Sequence, residues 1–130
     1  MKKLVLLTVL ALITAAAFAT TPKKKVEVLY FKAQLTCCQA RACNSLENDI
    51  RTFIAANFDT TKVQFTEIKL ADETNKTLIK QYNAKSQTVV LVNAKKKKNM
   101  DVSDLVRHYL RNGDKTTFEK ELLQKIKEIQ

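Results

Sequence analysis

Residues 26–43 read VEVLYFKAQLTCCQARAC. The first six of these residues are mostly β-branched or aromatic, and such a run predicts a buried strand. A more polar stretch follows, and three cysteines then fall within seven positions, at Cys37, Cys38 and Cys43. The pattern predicts a strand whose carboxyl end leads directly into a cluster of thiols.

Beyond the cysteines, apolar residues recur at either helical or strand spacing. Apolar runs predict strands over residues 63–70 and 88–92, with Met100 and Val102 in a short fourth strand. Helical spacing predicts helices over residues 43–57, 73–82, 102–110 and 116–129. Asn44 or Ser45 would cap the first helix, and Gly113, the only glycine, suits a helix end. This alternation predicts an α/β fold, a central mixed sheet with helices on both faces.

The first nineteen residues have the pattern of a secretory signal peptide. Lys2 and Lys3 precede an apolar run over residues 4–17, and Ala17-Phe18-Ala19 fits a cleavage site before Thr20. The run is short for a membrane span, although an uncleaved N-terminal anchor is the alternative. We therefore predict a periplasmic or secreted bacterial protein with no stable membrane span after processing. Its parts would be a signal peptide (1–19), a linker (20–25) and one α/β domain (26–130).

The chain is basic, with 23 Lys and Arg residues, 13 Asp and Glu residues and a formal net charge of +10. Residues 95–98 are all lysine and could meet nucleic acid or anionic lipid. No aromatic residues interleave with them, so a solvated turn is the favoured interpretation and no nucleic-acid partner is expected. His108, between Arg107 and Arg111, is predicted to be a surface residue. The chain lacks a phosphate-binding loop, a serine-nucleophile elbow and a dinucleotide fingerprint, and no cofactor is expected.

The cysteine cluster suggests thiol chemistry. A cysteine at a helix N-terminus has a lowered pKa, because the helix dipole and free backbone N–H groups stabilise the thiolate. Cys37 and Cys38 precede the helical pattern, and Arg41 adds positive charge nearby. Cys37 would attack a disulfide of a protein partner, and Cys43 or Cys38 would close the ring. The predicted function is thiol–disulfide exchange or electron transfer, which would make the chain a thiol–disulfide oxidoreductase.

Two other interpretations of the cluster stay open. Cys37, Cys38 and Cys43 could form a trigonal thiolate site for a soft ion such as Cu(I) or As(III). Zinc fits less well, since structural zinc takes four protein ligands and the only histidine, His108, is distant in sequence. The third interpretation is a non-catalytic interaction module with one structural disulfide and one buried free cysteine.

Three segments of the sequence resemble the thioredoxin-like superfamily. VEVLYF at 26–31 followed by Cys37 is similar to its first strand and cysteine turn, FTEIKLAD at 65–72 to its next strand, and QTVVLV at 87–92 to its third. More narrowly, the chain resembles the small exported proteins called nitrophenyl compound nitroreductase subunit, ArsF family. The resemblance implies that the strands containing Tyr30 and Val90 are neighbours. It also implies that Gln87 and Thr88 support the cysteine site.

Two positions depart from the superfamily pattern. Ala40 stands where the second cysteine of Cys-x-x-Cys would lie, and Gln87 stands where the superfamily carries a cis-proline. A cis bond before a non-proline residue costs about 3 kcal/mol, so a trans bond is expected before Gln87. Both departures weaken the transfer of disulfide-reductase activity to this chain.

Overall fold

In the computed structural model of the protein, the described residues are 26–34 and 38–130, without the side chains of residues 38–40. The predicted signal peptide, the predicted linker and Cys37 lie outside the described residues, so the predictions made for them stand as predictions.

The described residues form a mixed α/β structure, which confirms the predicted fold class. The strands are β1 (Val26–Lys32), β2 (Val63–Lys69), β3 (Thr88–Asn93) and β4 (Lys98–Asp101). The helices are α1 (Cys38–Asn57), α2 (Lys76–Gln81, preceded by a 3-10 turn at Glu73–Asn75), α3 (Ser103–Asn112) and α4 (Lys115–Ile129). None of the described helices combines the length and apolar character needed to cross a bilayer.

The four strands lie in the order β2-β1-β3-β4. β1 is parallel to β2 and antiparallel to β3, and β3 and β4 form an antiparallel hairpin. Tyr30 pairs with Val89, so the expected contact between the strands containing Tyr30 and Val90 is confirmed. Because β1 and β3 run in opposite directions, the end of β1 lies beside the start of β3.

Alternating side chains of β1 enter two separate cores. Val28 and Tyr30 point to the face covered by α1, α3 and α4, where Ile50, Val106 and Leu122 are buried with them. The intervening residues of β1 point to the opposite face, which is covered by α2; they are Leu29 and Phe31, packed with Leu78, Ile79 and Tyr82. Helices therefore cover both faces, as predicted.

Two element boundaries differ from the predictions. α1 begins at Cys38 rather than near Cys43, so Asn44 and Ser45 lie inside the helix and do not cap it. Residues 38–42 are CQARA, in which alanine, glutamine and arginine favour helix, but they carry no apolar stripe for periodicity to detect. Val102 follows β4 and precedes α3, although its N–H still donates to the carbonyl of Val89 at 2.9 Å.

The chain's one glycine ends a helix, as predicted. Gly113 has φ +69° just after α3, and its N–H donates to the carbonyl of Tyr109 at 2.8 Å. Asp114 then caps α4 by accepting a hydrogen bond from the N–H of Thr117 at 3.0 Å. The tight corner between the two helices lets both pack on the same face of the sheet.

Candidate site at the carboxyl end of β1

The loop that enters β3 is fastened to the end of β1. The N–H of Gln87 donates to the carbonyl of Phe31 at 2.9 Å. The hydroxyl of Thr88 accepts from the N–H of Lys85 at 3.0 Å, and Thr88 itself is buried. No peptide bond of the described residues is cis, so the trans bond expected before Gln87 is confirmed. Gln87 nevertheless has φ +65°, in the left-handed region.

Cys43 is the thiol that the structure places at this end of the sheet. It is unpaired and only 1% exposed, and it lies in the second turn of α1. The side-chain amide of Gln87 donates to its Sγ at 3.3 Å, and the Tyr30 hydroxyl donates to its carbonyl oxygen at 3.1 Å. Gln87 therefore contacts a cysteine, as the resemblance implies. Cys43 is enclosed between β1 and the β3 loop.

Tyr30 of β1 helps to hold Cys43 in this position. Burial raises the pKa of its phenol far above the ordinary value, and the neighbouring Cys43 adds to the shift. Its ring stacks on Phe65 of β2, with the ring centroids 6.1 Å apart. Tyr30 therefore stays protonated at physiological pH and keeps donating to the backbone of α1.

A network of charged side chains surrounds the end of β1. Lys32 contacts Glu47 of α1 at 2.6 Å and Glu67 of β2 at 3.8 Å, and Arg51 contacts Glu47 at 2.7 Å. Burial alone would raise the pKa of Glu47, but the hydrogen bonds from Lys32 and Arg51 outweigh it and lower the pKa to about 2. The hydrogen bond to Glu47 raises the pKa of Lys32. Glu47 is thus held ionised and connects β1 to α1, and Lys32 extends the network to Glu67 of β2.

A cleft of about 310 Å³ opens beside this network. It lies at the carboxyl ends of the parallel strands, since Lys32 ends β1, Lys69 ends β2, and the two residues are paired. Its lining residues are Lys32, Ala33, Gln34, Glu67, Lys69 and Ala71. The cleft borders the segment that leads to the cysteines.

The geometry of α1 limits how the cysteines can pair. Two residues five apart in an α-helix have Cα atoms ~8.6 Å apart, as the rise and radius of the helix require. A disulfide needs Cα atoms within about 7 Å. Cys38 and Cys43 both lie in α1 and are five residues apart, so they cannot bridge while its first turns are helical. Any disulfide within the folded chain must therefore include Cys37.

The remaining candidates are less informative. Arg41 is exposed in α1, and His108 is exposed in α3, as predicted. Among the described side chains, no three His, Cys, Asp or Glu residues converge on a common point. Because the side chains of Cys37 and Cys38 are outside that set, the three-thiolate interpretation remains a prediction.

The charged network is the feature that sequence reasoning missed. Glu47 and Arg51 are four residues apart in a helix, a spacing that alone signals an ion pair. Their connection to Lys32 and Glu67 depends on the parallel register of β1 and β2, which pairs Tyr30 with Glu67. The spacing of Lys32, Glu47 and Glu67 along the sequence does not reveal how β1 and β2 are paired, so it could not predict this network.

Comparisons with known proteins add little to this picture. No family model matches the chain, and no curated protein matches it. Among solved structures, one titled "Structure of a malarial protein" is similar at 21% identity and a TM-score of 0.42, covering 65% of this chain and 92% of that chain. The case for function therefore comes from the chain's own residues.

Proposed function

We propose that the protein is an exported, thioredoxin-like thiol–disulfide exchange protein that uses Cys37 as nucleophile and Cys43 as resolving thiol. The observation that carries the proposal is the start of α1 at Cys38, which makes Cys37 necessary for any intrachain disulfide. The contact of Gln87 with Cys43 supports it, because it brings the β3 loop against the cysteine segment.

The first step of the reaction forms a mixed disulfide. The Cys37 thiolate attacks one sulfur of a partner disulfide, the partner's S–S bond breaks, and its other sulfur leaves as a thiolate that takes up a proton. Cys37 directly precedes the first residue of α1. Backbone N–H groups at the start of a helix favour a thiolate at such a position.

The second step releases the reduced partner. Cys43 loses its proton and attacks the sulfur of Cys37, and the partner's second sulfur leaves as a thiolate. The chain ends with a Cys37–Cys43 disulfide, and the partner gains two electrons. Cys43 is six residues after Cys37 and is enclosed by Tyr30 and Gln87, so this step requires the first turns of α1 to unwind and to release Cys43 from the β3 loop.

Three single substitutions test the proposal, in a reaction of the purified protein with a fluorescent model disulfide. Cys37→Ser should abolish exchange, and Cys43→Ser should trap a mixed disulfide on Cys37. Cys38→Ser is the matched control and should keep the rate within about threefold, because Cys38 takes no part in either step. Mass spectrometry after thiol alkylation identifies the sulfur that carries the adduct. Equal losses in the Cys37 and Cys38 variants would refute the assignment.

The competing interpretations predict different results from the same three variants. If the cluster binds Cu(I) or As(III), each serine substitution should weaken titrated ion binding, because every thiolate is a ligand. If the protein is an interaction module with a structural disulfide, the variants should lose stability and no protein should exchange disulfides. Wild type that neither exchanges thiols nor binds either ion would leave only the interaction module.

A further inference from the structure

We propose that the lysine turn, residues 95–98 from the β3–β4 connection to the first residue of β4, docks the protein on an anionic phospholipid surface. All four lysines are exposed. None of them forms an ion pair with a described side chain, although the chain pairs cations elsewhere with Glu47, Asp49, Glu73, Asp104 and Glu128. Four like charges therefore stand together, and no described side chain forms an ion pair with any of them.

A buried amide holds the lysine turn in place. Asn93, at the end of β3, is fully buried. Its Nδ2 donates to the carbonyl of Ile129 at 2.8 Å, and its Oδ1 accepts from the N–H of Lys96 at 3.1 Å. This side chain fastens the backbone of the turn to the end of α4, so the lysines extend from a fixed base.

The lysine turn lies at the opposite end of the sheet from the cysteines. It follows Asn93, just beyond the pair formed by Val92 and Glu27 near the start of β1. β1 has seven residues and spans about 20 Å, and the cysteine segment follows its far end. A protein docked through the lysine turn would direct its cysteine end away from the lipid.

The surroundings of the turn favour lipid over nucleic acid. Residues 93–101 contain no aromatic side chain on which bases could stack. Lysine ammonium groups act as point charges toward phosphate headgroups, and the predicted export would bring the chain to membrane surfaces. Among the described residues, Leu110 is the exposed large hydrophobic side chain, and it is on α3. Binding through the turn is therefore electrostatic, and it should weaken steeply with salt.

Sedimentation with vesicles tests the proposal on protein purified after export from a bacterial host. The probe is vesicles of equal parts phosphatidylglycerol and phosphatidylcholine, with pure phosphatidylcholine as the blank. Each lysine near an anionic surface contributes about 1 kcal/mol, or about fivefold in affinity. Replacing residues 95–98 together by glutamine should weaken binding by at least about a hundredfold.

Two further variants separate the turn from net charge. A matched control replaces four exposed cations elsewhere that form no ion pair with a described side chain, Lys80→Gln, Lys85→Gln, Arg111→Gln and Lys120→Gln, and should lose less than about tenfold. Arginine at all four positions of the turn should retain binding. Equal losses in the two glutamine variants, no binding of wild type to the anionic vesicles, or tighter binding to RNA than to anionic vesicles of equal charge would each overturn the proposal.

Discussion

Charged side chains form ion pairs at one end of the sheet and stand without such partners among the described residues at the other. At the cysteine end, Glu47 pairs with both Lys32 and Arg51, and Lys32 and Glu47 are partly buried. At the lysine end, four exposed cations have no acidic partner among the described residues. Paired charges stabilise the arrangement of three elements around a site, whereas unpaired charges are available for a partner outside the chain.

At each end, one amide side chain holds a loop in place, but the backbone conformations of the two amide residues differ. Asn93 makes its hydrogen bonds from a regular strand position and is fully buried. Gln87 makes its contact with Cys43 from the left-handed region, which costs a residue with a side chain roughly 1 kcal/mol. The cysteine end is therefore the more easily opened of the two, which is what the second step of the proposed reaction needs.

The largest expected effect comes from placing proline at the cysteine end, where the resemblance would put it. Gln87→Pro should lower the free energy of unfolding by at least about 3 kcal/mol, because proline requires φ near −65° and cannot donate to the carbonyl of Phe31. Urea denaturation measures the change, with Gln87→Ala as the control that keeps the N–H. Equal stability of the two variants would show that the loop can adopt a different backbone.

At the lysine end, Asn93→Ala should cost about 2–3 kcal/mol. The substitution leaves the buried carbonyl of Ile129 and the part-buried N–H of Lys96 without their partner. Asn99→Ala, on the exposed side of β4, is the control and should change stability by less than about 0.5 kcal/mol. If Asn93→Ala lowered the free energy of unfolding no more than Asn99→Ala does, the side chain of Asn93 would not be what holds the turn.

The smallest expected effect is the pH dependence that Glu47 gives the cysteine end. Its pKa falls from 4.5 to about 2 on folding, so the unfolded chain binds more protons between these values and stability rises with pH across that window. The contribution of Glu47 to the free energy of unfolding reaches its full value above about pH 5. It amounts to about 2 kcal/mol once solvent screening is taken into account. Glu47→Gln should flatten this part of the stability curve measured by urea denaturation. Glu121→Gln, at an exposed position, should leave it unchanged.

The two central strands, β1 and β3, were predictable because burial on both faces leaves a mostly apolar run of residues. Residues 88–92 are TVVLV, and β3 extends the predicted strand by one residue, to Asn93. The start of α1 was not predictable from periodicity, since residues 38–42 place no large apolar side chain on a stripe. Helix propensity, applied separately to CQARA, would have found it.

The site was only partly predictable for a different reason. Gln87 could be placed near the cysteines because the strand order implied by the resemblance puts it there. The buried role of Asn93 was missed, since an asparagine before four lysines is typical of a turn. Its partner Ile129 is 36 residues away, and such a contact depends on how α4 crosses the sheet.

The short length of β4 has a consequence for how the protein behaves at high local concentration. β4 is an edge strand of four residues, and it begins with Lys98 and ends with Asp101. Short edges that carry charged side chains are poor templates for strands of other molecules. Molecules gathered closely on a surface would therefore resist edge-to-edge aggregation at β4, and the same lysine that could touch a headgroup would also keep neighbouring sheets apart.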